Sequence, residues 1–124
     1  MSVLDDLVTI AKAAGALRVY AEGSVPAMPA YPYMVMSVDT GTPGIRRTGG
    51  GTTRHDRRMT VKVFGRTDDA VLDYARLADL AFEDKVLALP GKPFSIREMQ
   101  TPIYRDPDDN GVLDLLHTYK LMEG

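Results

Sequence analysis

The chain contains no cysteine, which removes disulfides, zinc-thiolate sites, iron-sulfur clusters and thiol nucleophiles together. Only two histidines occur, His55 and His117, and neither has an acid or nucleophile at a spacing known for metal or triad chemistry. GxSxG, HExxH and paired-carboxylate signatures are absent as well, so an enzyme is not expected. No apolar run approaches the ~18 residues of a membrane-spanning helix. The N-terminus lacks the basic start and apolar stretch of a secretory signal, and a soluble chain made in the cytoplasm is expected.

What is present is an ordinary globular balance, 44% hydrophobic and 26% charged residues over 124 positions, with 8 Pro and 11 Gly. That length suits one domain, residues 1–124, with one core and several long turns. The net charge of -2 conceals a partition along the chain. Residues 40–66 carry Arg46, Arg47, Arg54, Arg57, Arg58, Lys62 and Arg66 against Asp56 alone. Residues 67–89 carry Asp68, Asp69, Asp73, Asp79, Glu83 and Asp84 against Arg76 and Lys85. A basic segment beside an acidic one suits self-association or a local polyanion contact.

Ser2 is a good N-cap, and the apolar spacing from Val3 to Ala11 predicts a first helix over 3–14, stopped by Gly15. Leu17 to Ala21 reads as a short strand, and Glu22 to Tyr31, with Gly23, Pro26 and Pro29, as a loop. Tyr33 to Val38 is apolar on both faces, which predicts a strand covered on both sides. Residues 39–56, DTGTPGIRRTGGGTTRHD, hold five Gly, one Pro and one large apolar residue, Ile45. They predict a flexible basic loop at the tip of a hairpin. Arg57 to Phe64 alternates, with Met59, Val61 and Val63 on one face and Arg58, Thr60 and Lys62 on the other.

Thr67, Asp68 and Asp69 make a capped, dipole-matched helix start. The predicted helix runs from 68 to about 88 and ends at Pro90-Gly91. Its apolar stripe is Val71, Ala75, Ala78, Phe82 and Val86, with Asp73, Asp79 and Glu83 facing elsewhere. Phe94 to Met99 reads as a strand extended by Thr101 to Arg105. Asp106 to Gly111 is a turn, and Val112 to Met122 is a last strand placing His117 with Leu113, Leu115, Tyr119 and Leu121 on its inner side. The order describes an α+β domain: a mainly antiparallel sheet with two helices packed on it and a long hairpin loop.

Two motifs invite ligands and fail in detail. Gly49-Gly50-Gly51 leads into a strand without the Lys of a phosphate loop, so no nucleotide cofactor is expected. Asp106-Pro107-Asp108-Asp109-Asn110-Gly111 begins like a calcium loop, but the twelfth position is His117 rather than Glu and a strand follows, so no metal is expected. The candidate contact residues are Arg46, Arg47, Arg54, Arg57 and Arg58, with Asp68, Asp69, Asp73, Asp79 and Glu83. The arginines either pair with helix acids of a neighbouring subunit or neutralise phosphates of duplex DNA; no aromatics lie among them to stack single strands.

The order of several segments is familiar: Tyr31-Pro32-Tyr33-Met34-Val35-Met36-Ser37-Val38-Asp39, then Gly41-Thr42-Pro43-Gly44-Ile45-Arg46-Arg47, Phe64-Gly65-Arg66-Thr67-Asp68-Asp69-Ala70, and Arg105 to Val112 followed by Thr118-Tyr119. Together, over almost the whole chain, they resemble tail terminator (tail completion) proteins of long-tailed phages, especially those of actinobacterial hosts. The resemblance implies a small α+β structural protein of the virion, without catalytic residues. It implies a homo-oligomeric, typically hexameric, ring on the head-proximal end of the tail tube. There it would stop tube polymerisation and meet the head-tail connector or stopper protein, with non-specific DNA contact in the lumen a further expectation. A head-tail stopper or other neck protein, and a small nucleic-acid-binding module, are the alternatives; the pI near 5.6 argues against the second.

Overall fold

The computed structural model describes residues 3–39, 57–105 and 111–122. Helix α1 (Val3–Ala13) is amphipathic, with Leu7 and Ala11 buried. Its end is a Schellman closure: the Ala16 N-H donates to Ala11 O at 3.3 Å and the Gly15 N-H to Lys12 O at 3.1 Å. Gly15 takes the left-handed conformation, φ +119°, that this closure demands. Strand β1 (Val19–Ala21) follows, and the cis Tyr31-Pro32 bond leads into β2 (Tyr33–Asp39). Strand β3 (Arg57–Gly65) and helix α2 (Asp68–Phe82) come next, with the Ala70 N-H donating to the capping Thr67 hydroxyl at 3.2 Å. The remaining strands are β4 (Lys85–Val86), β5 (Phe94–Gln100), β6 (Tyr104–Arg105) and β7 (Leu113–Met122).

The strands form one sheet in the order β1-β2-β3-β7-β5-β4, with β6 also on β7. Only β1 and β2 run parallel; the other pairs are antiparallel. The α+β expectation therefore holds, and so does the hairpin: β2 and β3 pair from Tyr33–Phe64 to Asp39–Arg58. Both helices pack on one face of the sheet, α1 on β1 and β2, and α2 on β3, β5 and β7. Between them lies the core, with Leu7, Met34, Met36, Met59, Val61, Val63, Phe82, Leu115 and Tyr119 all almost fully excluded from solvent.

Three expectations need correction. Helix α2 stops at Phe82, not near 88: Asp84 adopts φ 52°, and Lys85 and Val86 join β5 as an edge strand. Pairing with the sheet overrides a sequence that holds no helix breaker before Pro90. Val86 consequently leaves the predicted apolar stripe and is exposed. Strand β2 is covered by helices on one face only: there Met34 and Met36 are buried and Val38 packs on the core, while on the other face Tyr33 is buried among aromatic rings and Val35 and Ser37 are half-buried. The segment 101–105 does not simply extend β5. The register with β7 shifts between Arg97 and Met99, β5 ends at Gln100, and Tyr104–Arg105 re-pairs with β7 as a separate strand.

Gly65 marks the tightest junction between sheet and helix. A Cβ there would meet Val71 Cγ2 at 2.8 Å. The β3–α2 corner thus closes at a distance that only glycine permits.

Candidate functional site

The sequence-predicted contact residues divide by location. Arg46, Arg47, Arg54 and His55 lie outside the described residues, as does the Asp106–Asn110 turn. Arg57 opens β3 half-buried, opposite Leu121. Arg58 is exposed, on the sheet face turned away from the helices, and donates to Glu98 Oε1 at 3.1 Å. Asp68, Asp69 and Asp73 are exposed on α2. Because α2 covers the opposite face of β3, Arg58 and these acids point to different sides of the subunit. Any contact between them is a contact between two copies.

Asp79 is drawn inward, against the expectation that it faces away from the core. The Tyr119 hydroxyl donates to Asp79 Oδ1 at 2.6 Å, and the Arg97 guanidinium binds Asp79 Oδ2. Glu83 lies 4.0 Å from the same guanidinium, and its backbone N-H caps the helix on Asp79 O. His117, only 1% exposed, brings Nδ1 within 2.9 Å of the Tyr119 oxygen. Since the hydroxyl proton is directed at Asp79, the Tyr119 oxygen accepts from His117 Nδ1-H, which fixes the tautomer. Nε2 is then a buried lone pair with no partner among the described residues.

The protonation states follow from this geometry. Burial pushes the His117 pKa below its ordinary value; Asp79 opposes that shift and Arg97 adds to it. Burial also raises the Tyr119 pKa, reinforced by its bond to Asp79. The cluster is thus one ion pair, Arg97 with Asp79, tied to two neutral side chains. Tyr119 and His117 are enclosed by core residues, so the arrangement anchors α2 to β5 and β7. Sequence reading placed His117 and Tyr119 on the inner side of their strand; it named Asp79 as an outward contact residue and missed its inward role, whose only signal was its position beside Ala75 and Phe82 at the margin of the apolar stripe.

The face without helices carries a different chemistry. Glu22, Val35, Ser37, Thr60, Lys62, Phe64 and Leu116 line a shallow groove of about 180 Å³. At its end Tyr33 stacks on Phe64 with centroids 4.9 Å apart, Tyr20 and Tyr31 lean on Tyr33, Lys62 sits 5.3 Å over Phe64, and Arg66 sits 4.7 Å over Tyr31. Burial, then the nearby tyrosines, raises the Tyr33 pKa. Exposed apolar side chains lie at the two ends of the sheet, and also on α2 (Leu72, Leu80) and β6 (Tyr104). Leu17, Val25 and Met28 flank β1, and Val86, Ile96 and Met99 lie on β4 and β5. Among the described residues no group of three or more His, Asp or Glu can hold a metal ion, and no helix is long and apolar enough to cross a membrane.

No family model and no curated protein matches the chain. A solved structure does: a chain of the "Virion of native gene transfer agent (GTA) particle" has a TM-score of 0.65 and 17% identity, over 100% of this chain and 87% of that one. The likeness shows the fold. It spans every element described above rather than a shared hairpin or corner, and at this identity it carries no residue-level correspondence.

Proposed function

We propose that the protein is a structural component of a phage-like virion, a tail terminator that forms a ring on the head-proximal end of the tail tube and joins it to the head connector. The observation that carries this reading is the full-length likeness to a virion chain, which meets the motif order that resembles tail terminators. The surface supports it: apolar side chains are exposed at both ends of the sheet, as an assembling subunit requires. Its work is steric and electrostatic, with no catalytic step, cofactor or metal. Its partners are further copies of itself, typically six, the tail tube protein and the connector or stopper protein.

Between subunits, the arginines at 46, 47, 54, 57 and 58 of one copy meet Asp68, Asp69, Asp73 and Glu83 of the next. Such heterologous contacts close a ring. Asp79, neutralised by Arg97 within its own subunit, takes no part in that contact. The test is tube growth in vitro. Adding the protein to polymerising tail tube subunits leaves short tubes bearing a ring at one end; unchanged tube lengths overturn the reading. Binding to connector rings without tube would instead identify a neck protein. Reversing Arg57 and Arg58 to Glu abolishes ring formation if they face a neighbour. The same change leaves rings intact and impairs DNA passage if they face the lumen.

A further inference from the structure

The sheet ends in two short strands, and among the described residues each leaves an edge with no further strand beside it. At one end, the Arg18 carbonyl accepts from Met34 N-H and the Glu22 N-H donates to Met36 O, both at 2.9 Å. Alternation along a strand then turns the backbone groups of Val19 and the Ala21 N-H away from β2. At the other end, β4 pairs only with Phe94 and Ser95. Among the described residues, Ile96 to Gln100 of β5 have no strand on their outer side.

These edges match in length and direction. Val19 to Glu22 is about as long as the open part of β5. Following the sheet across, β1 and β2 run one way, β3 the other, β7 back, and β5 opposite to β1. A second copy set beside the first by rotation about an axis along the strands therefore brings its β1 antiparallel to β5, the more stable ladder. Part of the exposed apolar surface falls where that pairing covers it, although Leu72, Leu80 and Tyr104 lie elsewhere. Ile96 and Met99 project from the open face of β5, opposite Lys120 and Thr118. The loop after β1 carries Val25 and, 92% exposed, Met28. Soluble monomers blunt an open strand edge with charge or a covering element; here apolar residues flank both edges, and the charges on β5 are engaged within the subunit, Arg97 with Asp79 and Glu98 with Arg58.

We infer that β1 of one copy adds to the open edge of β5 in the next, so that the sheet continues from subunit to subunit. The two edges differ, so the contact is head-to-tail: it closes into a ring if the rotation closes and runs on as a filament if it does not. The occupant of the β5 edge is thus a second copy of this chain. For its closure into a ring the inference rests on the tail-terminator reading above; for the pairing itself it does not.

The absence of native cysteine makes the test clean. Glu22 and Met99 both lie on the open face at opposite edges. A mixture of the single variants Glu22→Cys and Met99→Cys, oxidised, gives mixed dimers, and the double variant gives a ladder of covalent oligomers. Ile96→Cys replaces Met99→Cys to cover a shifted register. Disulfide-linked dimers from Met99→Cys alone would mean a two-fold β5–β5 contact and overturn the inference. So would a wild-type chain that stays monomeric, without cross-links, at its highest soluble concentration. Ala21→Pro removes the outward N-H at an edge where proline is tolerated. It raises the concentration for half assembly about tenfold or more with an unchanged thermal melt, and unchanged assembly refutes the pairing. Should Ala21→Pro unfold, Met99→Lys carries the same test from the other edge. Closed rings without the Glu22–Met99 cross-link end this inference and leave the terminator reading standing. Cross-linked open filaments support the pairing and end the ring.

Discussion

The two faces of the sheet are built from alternate residues of the same strands, yet they differ in almost everything else. On the helix side Met36, Met59, Val63 and Leu115 are sealed, and among the described residues every buried side-chain nitrogen and oxygen except Ser95 Oγ and His117 Nε2 finds a partner. On the open side Val35, Thr60, Lys62 and Leu116 mix apolar and charged character around a shallow groove. The difference separates two tasks. The covered face supplies stability through close packing, and the open face and the sheet edges remain available to other molecules.

The sharpest break of this comparison comes from truncating the covered side. Phe82→Ala, emptying a site packed against Tyr119, costs about 3–5 kcal/mol in denaturant unfolding. Asp79→Ala leaves the Tyr119 hydroxyl and Arg97 without their carboxylate, and costs about 2–3 kcal/mol in the same measurement. Gly65→Ala forces a methyl against Val71 and lowers stability by about 1–3 kcal/mol. Open-face changes are smaller: Val35→Ala costs under about 1 kcal/mol, against about 2–5 for its neighbour Met36→Ala. A Val35 loss equal to that of Met36 would show that the open face is core too.

Acid sharpens the contrast. The His117 pKa is lowered in the folded chain, so below about 6.5 the unfolded chain binds a proton that the folded chain resists. Stability from this group is complete above that pH and is lost as pH falls toward the lower folded value. Urea midpoints measured down through that window fall in the wild type, and the fall is reduced in His117→Leu.

Periodicity carried most of the architecture. Alternation of Met59, Val61 and Val63 located β3 and its inner face, and Gly15 located the end of α1. It failed where distant pairing decides. Lys85 and Val86 continue a helical pattern and turn into an edge strand because Phe94 and Ser95 offer them a partner, a fact encoded nowhere near residue 85. The Tyr119–Asp79–Arg97 cluster was illegible for the same reason: its members come from β7, α2 and β5, and no local spacing joins them. The surface edges were hidden too, because an open backbone group has no signature in side-chain sequence.

Strand β7 comes last among the described elements and yet lies in the interior of the sheet, bonded to β3 on one side and to β5 and β6 on the other. On a ribosome, where chains emerge at about 5–20 residues per second, β1, β2 and β3 can pair as they emerge, but the β5 half of the sheet has no partner to join it to β3 until β7 arrives. Prematurely ended chains lack the central strand, so they lack the finished edges through which copies would associate.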